Sequence, residues 1–205
     1  MHRVNAPISA LIAAALAVTM VGCSGSADTA APAAKCEEVP VPLTDIPARS
    51  DQEPVLRLPQ PQGWERTTKL DSDSIRFAIR DSALAADGFT PNAVVTLQKV
   101  GADARTPQQI LDAQSQQLVK KLKVTDMKAT PGQVCGSPAQ AITYTAPKMG
   151  KIPPRRATSL ATVYQAGDTN YVATVTVQTV KPDDPNYAKD SAAIIKGFQI
   201  LPPKK

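Results

Sequence analysis

The feature that most constrains this chain is its single long apolar run. Residues 8–21 are apolar apart from Ser9 and Thr19. The α-amine and Arg3 stand before them, and the stretch closes as Met20-Val21-Gly22-Cys23. A basic start, an apolar middle and a small residue before a cut make a secretory signal peptide. A cysteine directly after the cut makes it a bacterial lipoprotein signal over residues 1–22. Cys23 is then the new N-terminus, its thiol bearing a diacylglycerol and its amine an acyl group. A membrane span needs about 20 apolar residues, and this run is shorter and rich in alanine. Met20 stands where leucine is usual in such a signal. No second long run follows, so the remainder must fold as a water-exposed body on the extracytoplasmic face of the cell membrane. Two or three acyl chains hold far more firmly than the single chain that gives only marginal binding.

The other cysteines suit an oxidising exterior. With Cys23 acylated, Cys36 and Cys135 form an even pair, in no CxxC and with no histidine nearby. A structural disulfide is the expectation, with two buried reduced thiols as the alternative. It would close a loop of about 100 residues and contribute about 4–5 kcal/mol in the chain-entropy model. The one histidine, His2, leaves with the signal. That excludes Ser-His-Asp and Cys-His catalysis, His-ligated metals and histidine pH switching.

Beyond the signal the composition shifts twice. Residues 24–35 are small and polar and read as a flexible tether spanning roughly 20 Å; with its flanking cysteines it forms a lipidated segment, 23–36. Residues 37–54 carry Pro40, Pro42, Pro47 and Pro54 and read as an extended arm, with a helical turn near 43–46. Residues 55–205 fit one domain of ordinary size. Loss of Arg3 takes the formal charge from +5 to about +4. Nucleic acid is excluded as a partner by compartment and by the lack of interleaved aromatic and basic residues. The densest cationic cluster, Lys148, Lys151, Arg155 and Arg156, reads as a solvated loop in preference to a surface facing anionic lipid.

Pattern gives the elements. Residues 55–58 form a short strand stopped by Pro59 and Pro61, and Trp64 follows as a core anchor in preference to a ligand platform. Ile75, Phe77 and Ile79 alternate with Arg76, Ala78 and Arg80, a half-buried strand. Residues 93–100 form another. Thr106-Pro107-Gln108-Gln109 opens a helix with a capping box and proline at its first position. Ile110, Leu111, Leu118 and Leu122 share one of its faces, and Lys120, Lys121 and Lys123 sit in the last turn, where cations suit the dipole. Strands are expected at 133–135, 139–145, 159–165 and 171–179, the last two as a hairpin. Asp184-Pro185 caps a second helix with Tyr187, Ser191, Ile194 and Ile195 inward, ended by Gly197. Residues 198–201 are extended. Strands in meanders with separated helices predict an α+β fold with helices packed on an antiparallel sheet.

Signatures of chemistry are missing. The chain has no GxSxG, SxxK or HExxH, and no phosphate-binding glycine loop. Asp71-Ser72-Asp73 lacks the glycine and closing glutamate of a calcium loop. Glu37-Glu38 suits a solvated arm, and Asp183-Asp184 a helix cap. No catalytic residue, metal or cofactor is expected.

Three stretches resemble the LpqN/LpqT family of mycobacterial cell-envelope lipoproteins. They are Glu38-Val39-Pro40-Val41-Pro42-Leu43, then Leu56-Arg57-Leu58-Pro59-Gln60-Pro61-Gln62-Gly63-Trp64, then Ala192-Ala193-Ile194-Ile195-Lys196-Gly197-Phe198. Their order agrees with the family over about residues 38–201. The resemblance implies a Mog1/PsbP-like fold, an α/β/α sandwich around an antiparallel sheet, and a non-enzymatic role. One member is linked to mycolate export and cell-wall assembly, through a transporter, mycolyl transferases and a trehalose glycolipid, and also to a host ubiquitin ligase. The Cys36/Cys135 pair departs from the family pattern, so the partner can differ.

Three functions follow for testing. The first is an anchored, non-enzymatic module that binds envelope lipid, glycolipid or protein; an apolar pocket between helix and sheet would favour it. The second is a protein-interaction or host-facing module without a lipid ligand, which would show an exposed apolar patch or sheet edge. The third is an enzyme, which would need clustered carboxylates with raised pKa in a cleft.

Overall fold

The computed structural model describes residues 35–101 and 105–204. Among these, strands β1 (Leu43–Ile46), β2 (Val55–Pro59), β3 (Trp64–Arg66), β4 (Ile75–Asp81) and β5 (Asn92–Val100) precede helix α1 (Pro107–Leu122). Strands β6 (Thr125–Val134), β7 (Ser137–Ala146), β8 (Arg155–Ala166) and β9 (Thr169–Thr179), helix α2 (Pro185–Gly197) and strand β10 (Gln199–Leu201) complete the order. The strands form two antiparallel sheets, one in the order β1-β2-β10 and one in the order β3-β4-β5-β9-β8-β7-β6. Two helices on antiparallel sheets make the fold α+β.

Register decides which side chains share a face. Val175 lies opposite Val95 on one side and Leu160 on the other, while Val172 lies opposite Val163. Because side chains alternate along a strand, Val175 and Val172 point to opposite faces. On the first face Phe77, Ile79, Ala93, Val95, Ala173, Val175 and Val177 join one core with Tyr187 and Ile194 of α2 and with Leu56, Leu58 and Ile200 of the small sheet. On the second face Ala161, Val163 and Val172 meet Ile110 and Leu111 of α1. The two helices therefore pack on opposite faces of the large sheet.

Both helices start where their caps dictate. Thr106 Oγ1 accepts from the Gln109 backbone N–H at 3.3 Å, and Gln109 Oε1 accepts from the Thr106 N–H at 2.8 Å. Asp184 Oδ1 accepts from the N–H groups of Asn186 and Tyr187, satisfying donors that a helix start leaves unpaired. In α1 the buried face is Ile110, Leu111 and Ser115. Leu122 is 52 % exposed, contrary to the sequence pattern. Lys123 turns left-handed (φ 54°) at the helix end, and Val124 beyond it takes the buried place beside Ile142 and Tyr144.

Three other local expectations are corrected. Residues 43–46 form strand β1 instead of a helical turn, paired from Leu43↔Pro59 to Ile46↔Leu56. Pro42 and Pro47 bracket the segment, and a residue before proline is pushed away from helical backbone; the free edge of β2 supplies the partner. Residues 125–134 form a full strand where pattern gave only 133–135, because β6 is an edge strand exposed at nearly every position. Gly197 is the last residue of α2 but is not left-handed; its place comes from crowding. A Cβ there would lie 2.4 Å from Val39 Cγ2 and 2.7 Å from Pro59 Cγ, so the arm packs directly on the helix end.

A candidate ligand cleft beside the disulfide

Cys36 and Cys135 are joined, with Cα atoms 4.2 Å apart and a sequence separation of 99. Cys135 and Gly136 are the two central residues of the β6–β7 turn, at φ 48° and 80°. Two positive φ values are what a type I′ hairpin requires, and its twist matches the flanking strands. The turn is thus Cys135-Gly136, while Ser137 and Pro138 belong to β7. The bond fixes the start of the arm to the end of this hairpin. Cys23 lies outside the described residues.

Beside the bond opens a cleft of about 450 Å³ between α2 and the large sheet. Its walls are Val134 of β6, Ala141 of β7, Leu160 of β8, Ile195 of α2, and Phe198. The small Ala141 leaves the space, and the half-buried Ile195 gives it an apolar side. Lys35, Glu37, Gln133 and Lys196 form a polar rim. The cleft is open to solvent and combines these apolar walls with an extensive polar lining, a mixture suited to an amphipathic ligand.

A second, wider cleft of about 910 Å³ runs along α2 between Asn186 and Lys196, bounded by residues 37–42 of the arm and by Pro61, Gln62 and Gly63. The two clefts share Glu37 and Lys196. These side chains approach to 3.9 Å and are both well exposed, a pair worth at most about 1 kcal/mol. A ligand long enough to occupy both clefts would pass under a bridge that opens easily.

The remaining sequence candidates are placed by the structure as follows. Trp64 is 2 % exposed and its Nε1 donates to Asp190 Oδ2 on α2 at 3.0 Å, so it anchors the helix to the strand and presents no stacking face. Asp71 accepts two bonds from Arg66 Nη2, at 2.8 and 2.7 Å, and Asp73 lies 3.9 Å from Arg49. Both carboxylates are engaged by cations, and no cluster of three or more metal-ligating side chains occurs among the described residues. Asp184 is a cap, as expected. Arg155 lies with Lys148, Lys151 and Arg156 at the opposite end of β7 and β8 from the disulfide.

Electrostatic perturbation falls elsewhere. Hydrogen bonding from Arg76 holds the Glu53 carboxyl below its usual range against the opposing effect of burial, burial lowers the Arg155 guanidinium, and burial pushes the Tyr187 phenol up. None of the three lines either cleft. The clefts offer contact area and rim charges, without a paired nucleophile and base. The sequence left the ligand-binding residues unassigned and offered an apolar pocket between helix and sheet only as a test; both cysteines, expected as a disulfide, line this cleft. The sequence could not name Ala141, Leu160 or Ile195, which only register and helix placement bring together.

A solved structure shares this fold. No match is found among curated proteins. The crystal structure of LpqN of Mycobacterium tuberculosis, described as involved in cell envelope biogenesis, is similar with a TM-score of 0.60 and 17 % identity. The alignment covers 78 % of this chain and 91 % of that one. The Ran-binding protein Mog1p of Saccharomyces cerevisiae is similar at a TM-score of 0.47 and 12 % identity, over 79 % of this chain and 97 % of that one. The family described as "Probable lipoprotein LpqN" matches residues 36–201, and the chain belongs to that family.

Proposed function

We propose that this chain is a lipid-anchored cell-envelope protein, held at Cys23, whose body binds the apolar part of an envelope lipid or glycolipid in the cleft beside the disulfide. It acts without catalysis, as a binding or accessory module in envelope biogenesis, the role given for the M. tuberculosis protein that shares its fold. One observation carries the reading. The cleft between α2 and the sheet opens beside Cys36, so the point where a membrane tether would enter the body is also the mouth of the apolar site. A lipid leaving the membrane surface would meet the cleft at once. The rim residues Lys35 and Lys196 suit a polar or anionic head group, and Val134, Leu160 and Phe198 suit a chain.

The test uses the full chain expressed in its native envelope, purified and extracted for lipid mass spectrometry. Ala141→Phe fills the cleft from the half-buried side of β7 without emptying the core. The native chain should carry a defined lipid that the variant lacks. Identical lipid from both, or none from either, would sink the reading. Protein adducts at the cleft without lipid would instead favour a protein-interaction module.

A further inference from the structure

The far end of β7 and β8 holds a half-buried cation, Arg155, one of whose donors has no partner. Arg155 opens β8, and its guanidinium is wedged between three elements. Its Nε donates to Gln178 Oε1 on β9 at 2.6 Å, and Gln178 Nε2 in turn donates to Asn92 Oδ1 on β5 at 2.9 Å. The Phe89 ring centroid lies 5.5 Å from its Cζ. Its Nη2 reaches only the Met149 sulfur, at 3.7 Å, a weak acceptor. Its Nη1 is buried and has no hydrogen-bond partner, the one side-chain atom in that state among the described residues.

The surroundings do not neutralise it. Among the described residues, no carboxylate lies within ion-pair distance of Arg155, Arg156, Lys148 or Lys151. Burial acts against its charge. A buried charged donor without an acceptor is destabilising unless something supplies one. The cover over the group is slight. Met149 is 54 % exposed and is bridged to Ile152 across the two-residue turn Gly150-Lys151, with Lys148 directly before it.

We propose that Arg155 anchors a binding site for a phosphate-type oxyanion, covered by Met149 and flanked by Lys148 and Lys151. The planar fork of an arginine matches such an oxyanion with two parallel bonds. Gln178 and Phe89 hold the fork still, so little rotamer freedom is lost on binding. Nη2, held only by the Met149 sulfur, and the unpartnered Nη1 are the two donors that a ligand would engage, Nη2 once the methionine swings aside. This site is independent of the lipid cleft. Five residues of β8 separate Arg155 from Leu160 on the cleft wall, about 17 Å at 3.4 Å per residue, so either can exist without the other. It also sits at the pole away from the tether, which favours a phosphate other than that of the anchoring membrane.

The full-length chain titrated with inorganic phosphate at constant ionic strength tests this, with the Arg155 Nε–H resonance followed by NMR. A saturable shift is expected. Arg155→Lys keeps the charge but loses the fork, and should weaken binding about tenfold. Met149→Ala alters only an exposed cover and should bind at least as tightly as the native chain, which keeps the test informative if the arginine variant folds poorly. A parallel titration with glycerophosphoglycerol identifies the source: tighter binding than phosphate names a lipid head group, weaker binding names the free ion. No saturable shift, or equal affinity in native and Arg155→Lys chains, would overturn the proposal.

Discussion

The two faces of the seven-stranded sheet are built on different principles. The face under α2 is continuous hydrocarbon, running from Phe77 and Ile79 through Val95 and Val175 to Leu160, and closed by Ile194 and the small sheet. The face under α1 is apolar at Ala161, Val163 and Val172, at Ala78, and in a satellite cluster around Ile142 and Tyr144. Between and beyond them it is held by cross-strand hydrogen bonds. Ser159 Oγ pairs with Thr176 Oγ1 at 2.7 Å, and Gln178 links Asn92 to Arg155. One face stores the stability of the fold; the other spends little on packing and so leaves polar groups available at its surface. Both candidate sites follow from this division. The cleft opens where the apolar face runs out of large side chains, at Ala141, and the oxyanion site lies where the polar face runs out of acceptors.

The sharpest way to break the comparison is to cut the clasp that secures the apolar face. Cys36→Ser with Cys135→Ser should lower unfolding free energy by about 4 kcal/mol in urea titrations, with hydrogen exchange rising first in the arm. A next probe sets the two faces directly against each other. Ile194→Ala should cost about 3–4 kcal/mol and Ile110→Ala about 2 kcal/mol; equal losses would mean that the faces are equivalent. Gly197→Ala should cost about 1–3 kcal/mol through overpacking, and Val39→Ala added to it should recover most of that if arm and helix meet as described.

Acid tests one polar anchor of the small sheet. Arg76 is bound to Glu53 by 2.9 and 2.7 Å hydrogen bonds, with both side chains largely buried. The folded carboxyl titrates below its usual 4.5. Its contribution is therefore complete above the unfolded pKa and is lost as pH falls through the lower folded value. Glu53→Gln should flatten the fall in stability as pH drops below the usual 4.5, read from thermal unfolding at each pH. The smallest effect expected is Thr176→Val, about 1 kcal/mol from one hydrogen bond on the polar face; a loss rivalling Ile194→Ala would show that face to be structural after all.

How far residues announced this arrangement depends on whether their signal was local. Alternation of apolar and polar residues revealed β4 and the later half of β9, and a run rich in Val and Leu revealed β5; in β4 and β8 both sides are buried over much of the strand. Capping revealed both helix starts, since Thr106 and Asp184 act within three residues. Strands β1 and β3 stayed hidden because four residues and three residues carry too little period, and β6 because an exposed edge has no buried side to alternate with. Leu122 misled because its spacing is helical while the chain turns away at Lys123. Gly197 was read as a helix stop, the commonest reason for glycine there, whereas its neighbour Val39 lies far away in sequence. The disulfide was reachable by counting cysteines; the cleft beside it needed three strands and a helix to be placed in space.

The clasp has a mechanical consequence. A body anchored through Cys23, as proposed, and pulled at a point beyond Cys135 would be loaded at Cys36. Force entering there crosses the disulfide to Cys135 and bypasses everything between the two cysteines. Strands β1 to β6 and helix α1 are outside the load path. The arm that walls the wider cleft can thus stay seated while the tether is under tension, and the site keeps its shape during a pull.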